Sequence, residues 1–292
     1  MRVADSEHQG QVAVIFDLDK TITRNDTYLA FLIYMLRLHP RRLLRCAFLP
    51  VAVLLHKVRL RDNSWLKQVF LRAIAGGLPR EVIEQCSSRF LEQVLANDIR
   101  PTALRAIACH RDARHRLVLA TASFDFYSEE LGRQLGFDAI ICPRSDWDAE
   151  HRLTGKIQGK NCYGANKLAR LREYFGEQRG QLHLIGYSDH HTDAFFLQWV
   201  DQAVAVNPTP KLQKIARQQG FAIEDWENEK DKTALILNRR RPQLALLQGS
   251  VQPEAEQHGR PATQNQIDAQ GDDDEKHRLE RPLRPDHAAQ RE

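Results

Sequence analysis

An α/β fold built on a parallel sheet with helices on its faces is what this sequence predicts, and three observations carry the prediction. Short continuous apolar runs recur along the chain, in VAVIF from Val12, RLVLA from Arg116, HLIGYS from His183 and AVAV from Ala203. Such runs suit strands buried on both faces. Longer stretches with apolar residues at helical spacing separate them, the alternation expected of a parallel sheet. Two of the runs also stop abruptly in polar side chains: Val12–Thr23 (VAVIFDLDKTIT) passes from apolar residues straight into Asp17 and Asp19, and the run from Arg116 ends in Thr121. A parallel sheet delivers its last side chains to its carboxyl edge, where open α/β sheets bind ligands.

Length and composition bound the rest. A chain of 292 residues can bury a sizeable core as one large domain or two smaller ones. No window approaches the ~20 unbroken apolar residues of a spanning helix. The first residues, MRVADSEHQGQ, have charge but no apolar centre, so no secretory signal is expected and a cytoplasmic location is. Cys46, Cys86, Cys109, Cys142 and Cys162 are odd in number and lack CxxC spacing, which argues against a disulfide framework and a zinc site and for thiols buried in a reducing compartment. The net charge of +4 hides a division: residues 249–292 hold ten acidic and six basic residues, leaving about +8 on the part before them. That last stretch has no Phe, Tyr or Trp and only four Val, Ile or Leu, too few to offset about 1–2 kcal/mol of backbone entropy per ordered residue. The expected organisation is an N-terminal extension at 1–11, a core at 12–23 and 101–226, a helical insertion at 24–100, and a tail at 227–292, partly helical and then disordered.

Taken in order, the insertion has apolar centres at Tyr28–Leu36 and Cys46–Leu55, with Pro40 and Pro50 as breaks or kinks. No acidic residue lies between Asp26 and Asp62, whereas Arg37, Arg41, Arg42, Arg45, Lys57, Arg59 and Arg61 do. Either these helices pack as a cap with arginines keeping the outside soluble, or they lie in a membrane interface with arginines on anionic headgroups. Gly76 and Gly77 end a further helix and Pro101 begins another. Ser123 reads as the cap of a helix from Phe124 to Leu135 that stops at Gly136, followed by a short strand at Ala139–Cys142. Arg152–Lys160 reads as a small hairpin. The next helix carries Leu168, Leu171 and Phe175 on one face and Lys167 in its first turn, where the helix dipole disfavours a cation unless an anion compensates. The strand His183–Ser188 runs into DHHTD, and the last strand, Ala203–Asn207, leads to a helix that ends at Gly220. His190 and His191 do not make a transition-metal site, because adjacent histidines converge poorly on one ion.

These motifs, in this order, resemble those of the haloacid dehalogenase superfamily over residues 12 to about 225. DLDKTIT is similar to its DxDxT motif, RLVLAT to an apolar strand ending in a phosphate-binding hydroxyl, Lys167 to its motif lysine, and Asp189 with Asp193 to its final acidic pair. Ser123 is a rival to Thr121, and Lys160 to Lys167. The resemblance implies a phosphoric monoester hydrolase with Asp17 as nucleophile and Asp19 as general acid and base. It also implies Thr121, Lys167 and Ser123 on the phosphoryl group, and Mg2+ held by the Asp17 carboxylate, the Asp19 carbonyl and the Asp189 carboxylate, with Asp193 in support. The insertion between the first two motifs is similar to the helical cap of the phosphoserine phosphatase-like group, and its arginine-rich start also resembles phosphatidylglycerophosphate phosphatases of bacterial membranes. Two departures stand out: Lys20 where Gly is common, and Tyr187-Ser188 where Gly-Asp is often seen.

Three functions follow from the resemblance. One is hydrolysis of a small polar phosphate ester. Another is the same chemistry on a lipid phosphate at the inner face of the membrane, through the basic apolar cap. The third is a non-catalytic binding module on the same scaffold, against which the full set of acids, hydroxyl and lysine speaks. Nucleic acid is not an expected partner, because the basic residues lie among long aliphatics without interleaved aromatics. The sequence leaves the oligomeric state open.

Overall fold

A computed structural model describes residues 11–227; the N-terminal extension and the tail expected beyond Trp226 lie almost wholly outside the described residues. In chain order, β1 (Gln11–Phe16) runs into a tight turn at Leu18–Ile22 and then the helical insertion. The insertion comprises α1 (Thr27–Leu38), a 3₁₀ segment (Pro40–Cys46), α2 (Leu49–Lys57), α3 (Asn63–Ile74) and α4 (Arg80–Asn97). There follow α5 (Pro101–Asp112), β2 (Arg116–Ala120), α6 (Asp125–Gln134), β3 (Ala139–Ile141), β4 (Arg144–Trp147), β5 (Leu153–Gln158) and α7 (Ala165–Phe175). The described chain ends with β6 (Leu182–Ser188), the short α8 (Ala194–Leu197), β7 (Gln202–Val206), α9 (Pro210–Gln219) and β8 (Ala222–Glu224).

Six strands form one parallel sheet in the order β3-β2-β1-β6-β7-β8. The chain builds outward from β1 on one side, then returns to build outward on the other, so β1 and β6 flank the point where strand order reverses. Phe16 pairs with Leu119 of β2 and with Tyr187 of β6, which brings the polar residues after all three strands to the same edge. The continuous apolar runs are explained by burial on both faces. Val14, Phe16, Leu117, Leu119, Ile185 and Tyr187 join one core, whereas Ala13, Ile15, Val118, Ala120 and Leu184 join the other, in strict alternation. The first core also takes in Phe31, Leu32, Met35, Leu71 and Phe90 from the insertion, so the inserted helices are packed onto the sheet's own apolar face.

Local chemistry explains most boundaries. Asp26 caps α1 by accepting from the Leu29 N–H at 2.8 Å, and Asp62 caps α3 by accepting from the Trp65 N–H at 2.7 Å. Pro50 and Pro101 stand in the first turns of α2 and α5, where a missing N–H costs nothing. Gly220, with φ of +72°, ends α9. The turn after β1 puts Lys20 at φ of +63°. That left-handed conformation is why glycine suits this position, and lysine holds it at some strain.

Two local expectations are corrected. Arg152–Lys160 is not a hairpin by itself: it supplies one strand, β5, whose antiparallel partner is β4, with the turn at 148–152. A short strand needs a partner with a matching edge, and the polar RSDW segment offered no apolar signal for it. Ser123 does not cap α6; Phe124 occupies the cap position with no side-chain hydrogen bond, and the Ser123 hydroxyl is committed elsewhere.

The β5 strand lies against α3 with no room to spare. Gly155 has φ of +82°, and a Cβ there would lie 2.5 Å from the Arg72 Cα. Gly155→Ala is therefore expected to destabilise the protein by roughly 2 to 4 kcal/mol, read as a lower urea midpoint, since it combines a strained φ with a backbone clash.

Candidate active site

The edge where β1 and β6 end carries a buried cluster of charge. Lys167, in the first turn of α7, donates from Nζ to Asp17 Oδ1 and to Asp193 Oδ2, both at 2.7 Å. Asp17 follows β1 directly and its N–H is fixed by the Tyr187 carbonyl of β6 at 2.9 Å. The Thr21 hydroxyl makes a longer contact, 3.4 Å, to Asp17 Oδ2. Asp193 also accepts from the Ser188 hydroxyl at 2.7 Å. That contact gives a purpose to one half of the Tyr187-Ser188 departure; the other half, Tyr187, stacks on Phe16 with ring centres 4.6 Å apart and meets His110 Nε2 through its hydroxyl at 2.9 Å. Lys167 is thus the compensated first-turn lysine that the sequence required. Lys160, its rival, is exposed in the loop after β5.

Asp19 is held from two directions. Its Oδ1 accepts from the Thr27 N–H at 2.7 Å and the Thr27 hydroxyl at 2.6 Å, while Oδ2 accepts from the Ser123 hydroxyl at 2.7 Å. Thr27 begins α1 and Ser123 follows β2, so Asp19 ties the start of the insertion to the sheet edge. Thr121 is fully buried, and its hydroxyl accepts from the Ser123 N–H at 2.9 Å. Of the two hydroxyl candidates, Ser123 is the one that lines the cavity. Thr27 was missed in the sequence, where a threonine after an aspartate at a helix start reads only as a cap.

Above this cluster lies a cavity of about 370 Å³, lined from the sheet side by Asp17, Asp19, Lys167 and Asp189 and from the insertion by Asp26, Tyr28, Leu32, Asn63, Leu66, Lys67 and Phe70. Lys67 is the residue sequence reasoning should have found. It lies four residues before Leu71 and seven before Ile74, on the face of α3 that is buried. A lysine on an apolar helix face signals a specific partner, and here Nζ donates to the Ala122 carbonyl while lying 4.3 Å and 4.9 Å from the ring centres of Phe124 and Tyr28. Burial pushes its pKa down to about 8, against the pull of Asp19 and Asp26. His190 is engaged by the Thr192 hydroxyl at 2.8 Å, and its ring lies 4.2 Å from that of His191.

The model of the haloacid dehalogenase-like hydrolases matches residues 14–198, spanning β1, the insertion and the loop that carries Asp189 and Asp193. The chain belongs to the haloacid dehalogenase-like hydrolases. The chain is 32% identical over 163 residues to protein CicA of Caulobacter vibrioides, covering 56% of this chain and 72% of that protein. It is 25% identical over 152 residues to a histidinol-phosphatase of Neisseria meningitidis, covering 51% and 68%. A protein of unknown function from Bordetella pertussis has a similar structure, with a TM-score of 0.66 at 21% identity over 75% of this chain and all of that one. A phospho-aspartyl intermediate analogue of phosphoserine phosphatase matches with a TM-score of 0.51 at 15% identity, over 79% and 99%. At those identities the two structures speak for the haloacid dehalogenase-like fold alone.

Electrostatically, this family site is short of positive charge. Burial raises the pKa of Asp17 well above the carboxylate range; Lys167 pulls it back, and Asp193, Asp189 and Asp19 add to the rise. Burial raises Asp19 too, with Asp26 adding and the Thr27 and Ser123 hydrogen bonds opposing. Asp189 is pushed up to about 7 by burial and then by Asp193. Burial works against the charge on Lys167, but Asp17 and Asp193 outweigh it and keep the ammonium protonated. Among the described residues no three His, Cys, Asp or Glu side chains are grouped to hold an ion. Asp17, Asp19 and Asp189 line one cavity, and oxygen donors of this kind suit a hard cation retaining several waters.

A carboxyl whose pKa is higher folded than unfolded binds its proton more readily when folded, so its contribution to stability falls as pH rises between the two values. For Asp189 that window runs from 3.8 to about 7. In chelator, Asp189→Asn is expected to melt above the wild type at pH 8, with the advantage shrinking as pH falls through 7 and gone below about 4. Thermal melts of the two proteins across that range provide the check, and magnesium should narrow the gap at pH 8 by stabilising the wild type.

Proposed function

We propose that this chain is a magnesium-dependent phosphomonoester hydrolase that works through an aspartyl phosphate on Asp17, with a small polar phosphate ester as substrate. The observation that carries this reading is Lys167 bridging Asp17 and Asp193 at the floor of a cavity that Asp19 also lines. A phosphate monoester dianion repels an incoming carboxylate, so the site needs positive charge at the point of attack. Lys167 supplies part of it. Magnesium, held by Asp17, Asp189 and the Asp19 carbonyl, would neutralise further charge on the phosphoryl oxygens. The known relatives include a histidinol-phosphatase and a phosphoserine phosphatase, both phosphate-ester enzymes by name.

In the first step an Asp17 carboxylate oxygen bonds to phosphorus as the ester P–O bond breaks, and Asp19 gives its proton to the departing alkoxide. In the second, Asp19 takes a proton from water as the water oxygen bonds to phosphorus and the Asp17–phosphorus bond breaks, releasing inorganic phosphate. Asp19 needs a raised pKa to begin protonated, and its burial moves it that way. Ser123 is the hydroxyl offered to the phosphoryl group from the cavity wall, and Thr121, buried beneath it, accepts from the Ser123 N–H.

A second reading keeps this chemistry and changes the substrate to a lipid phosphate. The observation in its favour is the outer face of α2. Phe48, Val51, Leu54 and Val58, at helical spacing, are all more than half exposed, and Leu43, Leu44 and Leu60 beside them are 65%, 84% and 69% exposed. Arg41, Arg45, Lys57, Arg59 and Arg61 are exposed around the same segment. An apolar stripe bordered by arginines fits an anionic bilayer surface. No helix among the described residues is long and apolar enough to cross a membrane.

Against a panel of phosphate esters with magnesium, Asp17→Asn is expected to abolish turnover and Asp19→Asn to slow it by about 10² to 10⁴. Wild-type turnover by Asp17→Asn would refute the nucleophile. Flotation with anionic vesicles at low and high salt decides between the substrates: salt-sensitive binding supports the lipid reading, and absence of binding at any salt removes it.

A further inference from the structure

Asn161 lies in the loop from β5 to α7 and lines the cavity, yet neither its Nδ2 nor its Oδ1 has a hydrogen-bond partner, although the residue is only 4% exposed. A carboxamide offers two N–H donors and an acceptor oxygen, and a buried one left unmet at both ends is destabilising. Interchanging its two ends does not help, because both lack partners. Other polar groups on the cavity wall are engaged: Lys67 with the Ala122 carbonyl, Ser123 with Asp19, and Lys167 with its two aspartates.

The backbone places Asn161 on the Lys167 side of the cavity. Its carbonyl accepts from the Tyr163 N–H at 2.9 Å, the Tyr163 carbonyl from the Asn166 N–H at 3.2 Å, and the Gly164 carbonyl from the Lys167 N–H at 3.0 Å. The turn carrying Asn161 is therefore continuous with the first turn of α7. The adjacent Cys162 is buried and within the field of the Lys167 ammonium. A neutral donor just before the N-terminus of α7 thus lines the same cavity as Lys167, Asp17, Asp189 and Asp193.

The geometry points to Asn161 as a further substrate-binding residue, whose carboxamide N–H donates to a non-bridging oxygen of the phosphoryl group above Asp17. This rests on the phosphohydrolase reading and extends it by one residue that the motifs do not contain. An amide kept without a protein partner in a buried cavity wall leaves its donor for a group that enters the cavity, and the substrate's oxygens are such a group.

The test compares the full-length wild type with Asn161→Asp, which keeps the shape but puts a carboxylate against the dianion, and with Asn161→Leu, which removes the unmet polar atoms. With magnesium and an aryl phosphate, both variants are expected to raise KM and weaken inhibition by inorganic phosphate about ten- to a hundredfold. Without phosphate, Asn161→Leu should melt at or above the wild type, because it discards no side-chain hydrogen bond to the protein. Phosphate inhibition within about twofold of wild type in Asn161→Asp overturns the assignment. So does a lowered melting temperature of Asn161→Leu, the mark of an amide with a structural partner. If the wild type neither hydrolyses the ester nor is stabilised by phosphate, the phosphohydrolase reading falls and takes the assignment with it. Wild-type turnover with unaffected variants removes Asn161 alone.

Discussion

A single ammonium group, that of Lys167, holds the floor of this site together. It is 2.7 Å from a carboxylate of the strand that opens the sheet and 2.7 Å from one in the loop after the strand beside it, and all three groups are buried. Taking such charges out of water is costly, and only close pairing with further hydrogen bonds makes it sustainable. The Ser188 hydroxyl on Asp193 and the Tyr187 carbonyl on the Asp17 N–H supply those bonds. Even so, one lysine does not neutralise Asp17, Asp189 and Asp193, and burial among like charges raises the pKa of Asp17 and Asp189.

The parallel sheet is what makes that meeting possible. Residues 17, 167 and 193 are far apart in the chain, and β1 is central because the chain first builds outward from it on one side and then on the other. Register aligns the ends of β1, β2 and β6, so each strand's first polar residue arrives at the same edge. Glycine is absent from the turn after β1, and Lys20 takes the left-handed conformation in its place. The sheet edge tolerates that strain because the flanking residues Leu18, Thr21 and Ile22 are fully packed.

The roof is held by a second lysine with a different logic. Lys67 donates to a carbonyl and lies over two aromatic rings, with Asp19 and Asp26 acting on its charge from farther off than a direct ion pair. Lys67 ties α3 to the loop after β2, and Thr27 ties the start of α1 to Asp19 in the turn after β1. The same helices leave an apolar stripe outward on α2, so the insertion has one face committed to the core and another presented to its surroundings.

From sequence alone came the parallel α/β class, five of the sheet strands, the helical insertion, and the order of Asp17, Asp19, Lys167, Asp189 and Asp193. Those were legible because both-face burial writes continuous apolar runs, and because charged residues at strand ends and a lysine set against a helix dipole have no structural excuse. Tertiary structure alone decided the partner of β5, the short edge strand β8, and the engagement of Ser123 with Asp19 in place of a helix cap. It also decided that Lys67 and Asn161 reach the cavity. The physical reason is the same for each: periodicity states which face of an element is apolar, whereas what that face meets depends on residues brought together from distant parts of the chain.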